Sequence, residues 1–284
     1  MHCQSRGKTG LRSLQALLLA LLLVSGMAGC SFSSSSQNKE AEATLSPQIK
    51  PPLIHEAGKL YLGVNLGMAP FAAQAADGYK GFDIDLGNAI AKRLGLKPVF
   101  VAITPDTMAQ ALEDNKIDLA LSAPTDDTGL VVAQLYYQDA PALFARSEEA
   151  SAVAATPRLP KTALQEGSAA QAQLVSSMSS TEASASLQFY PEVSAAIKAC
   201  EDKKTVAVAG DYAVLRYAQL KGAKIKFVRA LASDSLDRGV AIRADNVELM
   251  RQVKPLLTDL HDTGAISAIM RVWIGADKLA APGE

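Results

Sequence analysis

Residues 81–121, GFDIDLGNAIAKRLGLKPVFVAITPDTMAQALEDNKIDLAL, switch their hydrophobic period several times within a short span, and that constrains the fold more than anything else in the chain. Leu86, Ala89, Ile90 and Leu94 fall at i, i+3, i+4 and i+8, the face of a helix over 84–94 that stops at Gly95. Val99–Ile103 is an apolar, partly β-branched run of the kind buried on both sides in a parallel sheet. Asp106 can cap a second helix through Glu113, with Met108 and Leu112 inward and Asn115 at its exit; Ile117–Leu121 is a further strand. With Lys59–Leu66 ahead of it as a strand, the order is βαβαβ. That order predicts right-handed crossovers and a crevice at the C-terminal ends of the strands.

A looser copy of the pattern follows. Pro191 fits the first turn of a helix to about Cys200; Thr205–Ala209 is a strand, Tyr212–Leu220 a helix and Lys224–Val228 a strand. Two such units predict an α/β protein of two Rossmann-like lobes. Ser147–Pro160 reads as the segment crossing between them, and Ser176–Ser186 as a polar loop. In the tail, Asp245 and Glu248 have capping-box spacing, Leu249, Val253, Leu256, Leu257 and Leu260 share a face, and Pro255 should kink that helix. Beyond Gly264, Ile266, Ile269, Met270 and Trp273 form another face.

The N-terminus reads as a processing segment. Arg6, Lys8 and Arg12 precede an apolar core, Leu14–Val24, that is shorter than the ~20 residues a membrane span needs. Met27-Ala28-Gly29-Cys30 then resembles a bacterial lipobox, which implies diacylation of Cys30 and a two-chain anchor in the membrane. Plain secretory cleavage is the alternative. Residues 1–29 are thus expected to be the lipoprotein signal and 30–55, rich in serine and broken by proline, a flexible tether. Residues 56–146 plus 235–284 are expected to form the first lobe and 147–234 the second. Losing the signal removes three cations and no acid from a chain of formal net charge -1, which leaves no basic field for nucleic acid. Cys200 would be a lone buried thiol, and His2, His55 and His261 have no metal spacing, so neither a metal nor a cofactor is expected.

The 81–121 stretch resembles the first lobe of the extracytoplasmic solute-binding proteins of the polar amino-acid type, and the resemblance extends over about Lys59 to Gly275. It implies the type II periplasmic-binding-protein fold, two Rossmann-like lobes with a hinge and a central cleft, with Gly239–Arg243 as the strand that returns to the first lobe. It also implies a monomer that passes its guest, an amino acid or amine, to an ABC permease and its ATPase. In that family an arginine of the first lobe holds the ligand carboxylate and an aspartate of the second holds the ammonium. Asp211, after the strand TVAVAG, matches the aspartate; its competing role is the N-cap of helix 212–220. The loop Ser122–Leu130 matches the carboxylate-binding loop. Ser122 and Thr125 stand at its ligand-facing positions, and Asp126 faces either solvent or the cleft. Asp127 would cap a helix over 128–135, and Leu130 stands where the arginine belongs. The aromatic wall is altered: Met68 stands where the family often has an aromatic lid and could still cover an apolar part of the ligand, while Phe71 matches. Ser168, after Gly167, resembles the second lobe's carboxylate turn; a core position for Phe71 and a simple turn at Ser168 are the bland readings. Asp83 and Asp85 read as stabilisers of the lobe.

Removing one partner of a desolvated charge pair costs about 2–5 kcal/mol, or ~30-fold and upward in affinity. Asp211 without a cation opposite therefore favours a cationic or carboxylate-free solute. Two other readings compete with a lipid-anchored importer component in the cell envelope. One is a degenerate binding module with a signalling or structural role. The other is a dehydratase-like enzyme, for which no nucleophile–base, metal or phosphate-loop constellation is present.

Overall fold

The computed structural model describes residues 49–125, 129–231 and 237–275. The readings at the signal segment, Cys30, Asp126, Asp127 and the first part of the tether lie outside them.

Each alternation seen in the sequence becomes an element of one of two five-stranded sheets. The first lobe runs β1 (Lys59–Val64), β2 (Gly67–Met68), β3 (Ala72–Ala75), β4 (Gly78–Lys80), α1 (Phe82–Leu94), β5 (Lys97–Ala102), α2 (Pro105–Glu113), β6 (Leu119–Pro124) and β7 (Val131–Tyr137). The second runs β8 (Pro141–Arg146), α3 (Ala150–Ala154), β9 (Thr162–Gln165), α4 (Ala169–Ser177), α5 (Ser180–Ser186), β10 (Leu187–Tyr190), α6 (Val193–Glu201), β11 (Ala207–Asp211), α7 (Tyr212–Leu220) and β12 (Ile225–Ala230). The chain then returns through β13 (Arg238–Ile242), α8 (Val247–Asp262) and α9 (Ala265–Ile274).

The first sheet has the order β5-β1-β6-β13-β7, with β1 parallel to β5 and β6 and β13 antiparallel to both its neighbours. The second has the order β10-β9-β11-β8-β12, parallel across β10-β9-β11 and antiparallel at β8. The α/β two-lobe expectation is met. Leu60, Leu62, Leu119 and Leu121 are fully buried between helices on both faces, as apolar parallel strands require. Gly81 has φ 142, and a Cβ there would lie 2.1 Å from the Phe71 carbonyl oxygen, so only glycine lets α1 start this close to the segment before β3.

Several boundaries differ from the sequence reading, each for a local reason. Residues 131–137 form a strand rather than the tail of a helix begun at Asp127: VVAQLYY is β-branched and aromatic, and it pairs with β13 along its length. The chain therefore crosses at Gln138–Ala140. Pro141–Arg146 is a fully buried strand of the second sheet, and Ser147–Pro160 holds α3 instead of a crossing. Ser176–Ser186 is largely helical, because Ser179 and Glu182 make a capping box for α5. The expected tether is shorter at its C-terminal end: Ile49 and Ile54 are buried in the first lobe's core, and the Asn246 side-chain amide donates to the Leu53 carbonyl at 2.7 Å. Asn246, not Asp245, caps α8 by accepting from the Leu249 N–H. Thr104, not Asp106, precedes α2, its N–H donating to Thr107 Oγ1 at 3.0 Å.

Candidate functional site

The site is assembled where the two crossing segments meet the ends of β6, β11 and β13. Asp211 closes β11 in the second lobe. It occupies the N-cap position of α7 yet makes no capping bond from its side chain. Capping falls to Asp139, in the first crossing segment, whose two carboxylate oxygens each accept from the Ala213 N–H at 3.4 Å. Asp211 is thereby free to face the first lobe, and its Oδ2 lies 3.2 Å from Nη2 of Arg238, the first residue of β13. Their side chains are 21% and 13% exposed, so the pair is mostly withdrawn from water. Asp211 is not left without a cation, contrary to the expectation raised by Leu130.

Arg238 is held by its neighbours as well as by charge. Its guanidinium lies over the Phe71 ring, 4.9 Å from the centroid, a cation–π contact. Phe71 is fully buried and meets Tyr137 edge-on at 5.2 Å. Arg238 is the cross-strand partner of Tyr137 on one side and of Pro124, next to Thr125, on the other. Arg238 Nε and the Tyr137 hydroxyl are buried without a hydrogen-bond partner among the described residues. The crossing segments are tied to each other where Gln138 Nε2 donates to Asp237 Oδ1 at 3.5 Å.

The electrostatics follow from burial. Asp139 is 1% exposed, and desolvation, followed by the charge of Asp211, pushes its carboxyl up to about 7. The Ala140 and Ala213 N–H groups and Arg238 oppose that rise. Burial likewise raises Asp211, with Arg238 pulling the other way through its charge and hydrogen bond. The Tyr137 phenol is pushed well up, first by burial and then by Asp139.

The other sequence candidates sit close by or apart. Thr125 is exposed at the end of β6. Met68, in β2, is part-buried against the first lobe's core. Ser122 is buried with φ 53, and its hydroxyl donates to Asp83 Oδ2 at 2.6 Å. The Tyr136 hydroxyl donates to Asp83 Oδ1 at 2.7 Å and accepts from the Ser122 N–H at 2.5 Å. The Ser122 side chain is thus committed inside the lobe, where it holds the turn into the loop. Ser168 caps α4, accepting from the Gln171 N–H at 3.2 Å and donating to the Gln165 carbonyl at 2.7 Å. Asp85 accepts from Trp273 Nε1 at 2.7 Å. Arg93 is engaged by Asp259, and Arg146 donates to the Cys200 and Thr205 carbonyls. Concavities of about 280 Å³ beside Leu112 and Arg243, and about 500 Å³ beside Leu174 and Met178, each lie within a single lobe, away from the junction.

Sequence reasoning missed Arg238 and Asp139. A signal for Arg238 was available: it directly precedes the strand recognised as the return to the first lobe, so it must enter at the junction. Asp139 had none, because β7 read as part of a helix.

Two α/β lobes joined by paired crossing segments, with an acid of one facing a base of the other, define a two-lobed solute-capture protein. The chain belongs to the bacterial extracellular solute-binding proteins, family 3, whose pattern it matches over residues 60–276. It is 40% identical to the lysine/arginine/ornithine-binding periplasmic protein of Escherichia coli (strain K12) over 63 residues, 22% of this chain and 24% of that protein. It thus aligns with only about a quarter of that relative's length. To the L-cystine-binding protein TcyA of Bacillus subtilis (strain 168) it is 23% identical over 274 residues, 93% of this chain and 98% of that protein. Among solved structures, a polar amino acid ABC uptake transporter substrate binding protein from Streptococcus thermophilus superposes with a TM-score of 0.66. That match has 19% identity and covers 83% of this chain and 93% of the other.

Proposed function

We propose that this chain is the substrate-binding component of an ABC importer of the amino-acid type, a non-enzymatic receptor that captures a small polar solute between its lobes. The family match over 60–276 carries the reading. The relatives named for lysine, arginine, ornithine and L-cystine make an amino acid or amine the solute class to test first. Asp211, whose carboxylate already faces a cation across the lobes, is the residue we assign to its cationic group. Lobe closure works because the ligand contacts both halves at once and so favours the closed arrangement. The lipid on Cys30 would hold the mature chain, as a monomer, at the extracytoplasmic face of the membrane, within reach of the permease and its ATPase.

A thermal-shift panel of amino acids and amines on the mature chain tests the solute class. A ligand at ~100 times its Kd adds about 2.7 kcal/mol of stability, roughly 5–11 °C in Tm for a body of this size. A panel in which nothing moves Tm would overturn the reading. The anchor is tested by Cys30→Ala, which should move the chain from the membrane fraction to the soluble extracytoplasmic one.

A further inference from the structure

We infer that Arg238 supplies the cation for a ligand carboxylate that position 130 lacks, and that its ion pair with Asp211 is a placeholder which an α-amino acid takes apart by partner exchange. The inference rests on the solute-capture reading and narrows it to guests with both a free ammonium and a free carboxylate.

The geometry carries it. The two charged ends of an α-amino acid are separated by a single carbon, so the groups that hold them must converge. Asp211 Oδ2 and Arg238 Nη2 are 3.2 Å apart, and they come from different lobes. Arg238 also stands next to the strand that leads into the loop holding position 130, because β13 pairs antiparallel with β6 and sets Arg238 opposite Pro124, one residue before Thr125. A cation missing from the loop is thus restored from the adjacent strand.

The unmet hydrogen bonds specify the ligand group. Arg238 Nε and the Tyr137 hydroxyl are both buried, both without a partner among the described residues, and on cross-strand neighbours. A carboxylate only accepts hydrogen bonds and has lone pairs for several donors. Arriving at this position, it satisfies the Tyr137 O–H and the Nε face of the guanidinium together. Arg238 then turns from Asp211 to the ligand, and Asp211 takes the ligand's ammonium in its place. Each charge in the site keeps a counterion throughout, so the exchange leaves no ion desolvated and alone. The Phe71 ring gives the guanidinium a flat surface on which to make that turn.

Matched pairs of probes test it by calorimetry on the mature chain: L-lysine against 1,5-diaminopentane and L-arginine against agmatine, each pair differing only in the carboxylate. The wild-type protein should prefer the acid of any pair it binds. Arg238→Gln should weaken the acid by about 30-fold or more while binding the decarboxylated partner as well or better, since Asp211 has lost its internal competitor. Asp211→Asn should weaken both members. If Arg238→Gln does not fold, Arg238→Lys serves. It keeps the charge but loses the fork, and should cost the acid about tenfold and the amine nothing. Binding of the acids within about threefold of wild type in either Arg238 variant, or equal losses for both members of a pair, would overturn the inference while leaving solute capture intact. No binding of any probe by any form, together with no shift across the wider thermal panel, would overturn both.

Discussion

Replacing Asp139 with asparagine should stabilise the protein increasingly as pH rises. Asp139 is 1% exposed, and its carboxyl is pushed from 3.8 up to about 7. The unfolded chain gives up this proton near its ordinary value, whereas the folded chain holds it until about neutrality. A raised acid contributes stability that is complete below the unfolded value and is lost as pH climbs through the folded one. The loss is about 1.4 kcal/mol per pH unit in that window. Between pH 5 and pH 8 the wild-type protein should therefore lose about 3 kcal/mol from this group, nearly all of it before pH 7. The asparagine side chain would not titrate. Its amide oxygen can still accept from the Ala140 N–H, which now donates to Asp139 at 2.8 Å. The cost of burying the new NH₂ is the same at every pH, so it drops out of the comparison. The quantity to measure is the difference in unfolding free energy, variant minus wild type, at pH 5 and at pH 8. It should grow by about 3 kcal/mol, seen as roughly 6–12 °C in relative Tm. A difference that stays constant, or shrinks, refutes the assignment of a buried, late-titrating carboxyl to the crossing segment.

Two further substitutions probe the frame around the site. Gly81→Ala should cost about 3 kcal/mol or more in urea unfolding, because the new methyl would meet the Phe71 carbonyl oxygen at 2.1 Å at a backbone φ of 142; a loss below about 1 kcal/mol would mean that α1 can shift away freely. Tyr136→Phe should cost about 2–4 kcal/mol by stranding the Ser122 N–H and one Asp83 oxygen, both buried; a near-neutral result would show that water replaces the hydroxyl.

The parts of this fold that were legible in the sequence are those where local pattern and tertiary environment agree. In α1, Leu86 and Ile90 fall on the apolar stripe and are fully buried, and Gly95 ends the helix in the left-handed conformation. Helix α7 spans Tyr212–Leu220, the residues its pattern marked. Legibility failed where pairing, not pattern, decides. Residues 131–137 are apolar without a clean period, and only the edge of the first sheet, offered by β13, makes them a strand. That one misreading moved the crossing point and hid Asp139. The cap of α7 shows the same limit. Asp211 occupies the cap position, but the bond from the Ala213 N–H goes to Asp139, 74 residues away along the chain, and no local rule reaches across that separation.

The placement of charge at this site has a consequence for how the lobes can part. Arg238 and Tyr137 belong to the first lobe, Asp211 to the second, and Asp139 to the segment between them. Neither lobe alone contains a balanced set. An ion buried without its partner costs several kcal/mol, so each lobe, if isolated, would keep its charged group in water. Apposition removes both from solvent and returns the cost as an ion pair; separation restores the hydration of both. The two terms oppose each other, so the bridge adds little net hold on the lobes. An apolar contact between the lobes lies elsewhere: Ala213 of α7 is buried in the first lobe's core, and Tyr217 meets Trp273 of α9 at 6.2 Å. Motion that keeps this apolar contact while parting Asp211 from Arg238 is a rotation about α7 and the crossing segments. Such a rotation would part Asp211 from Arg238 at little cost in buried apolar surface.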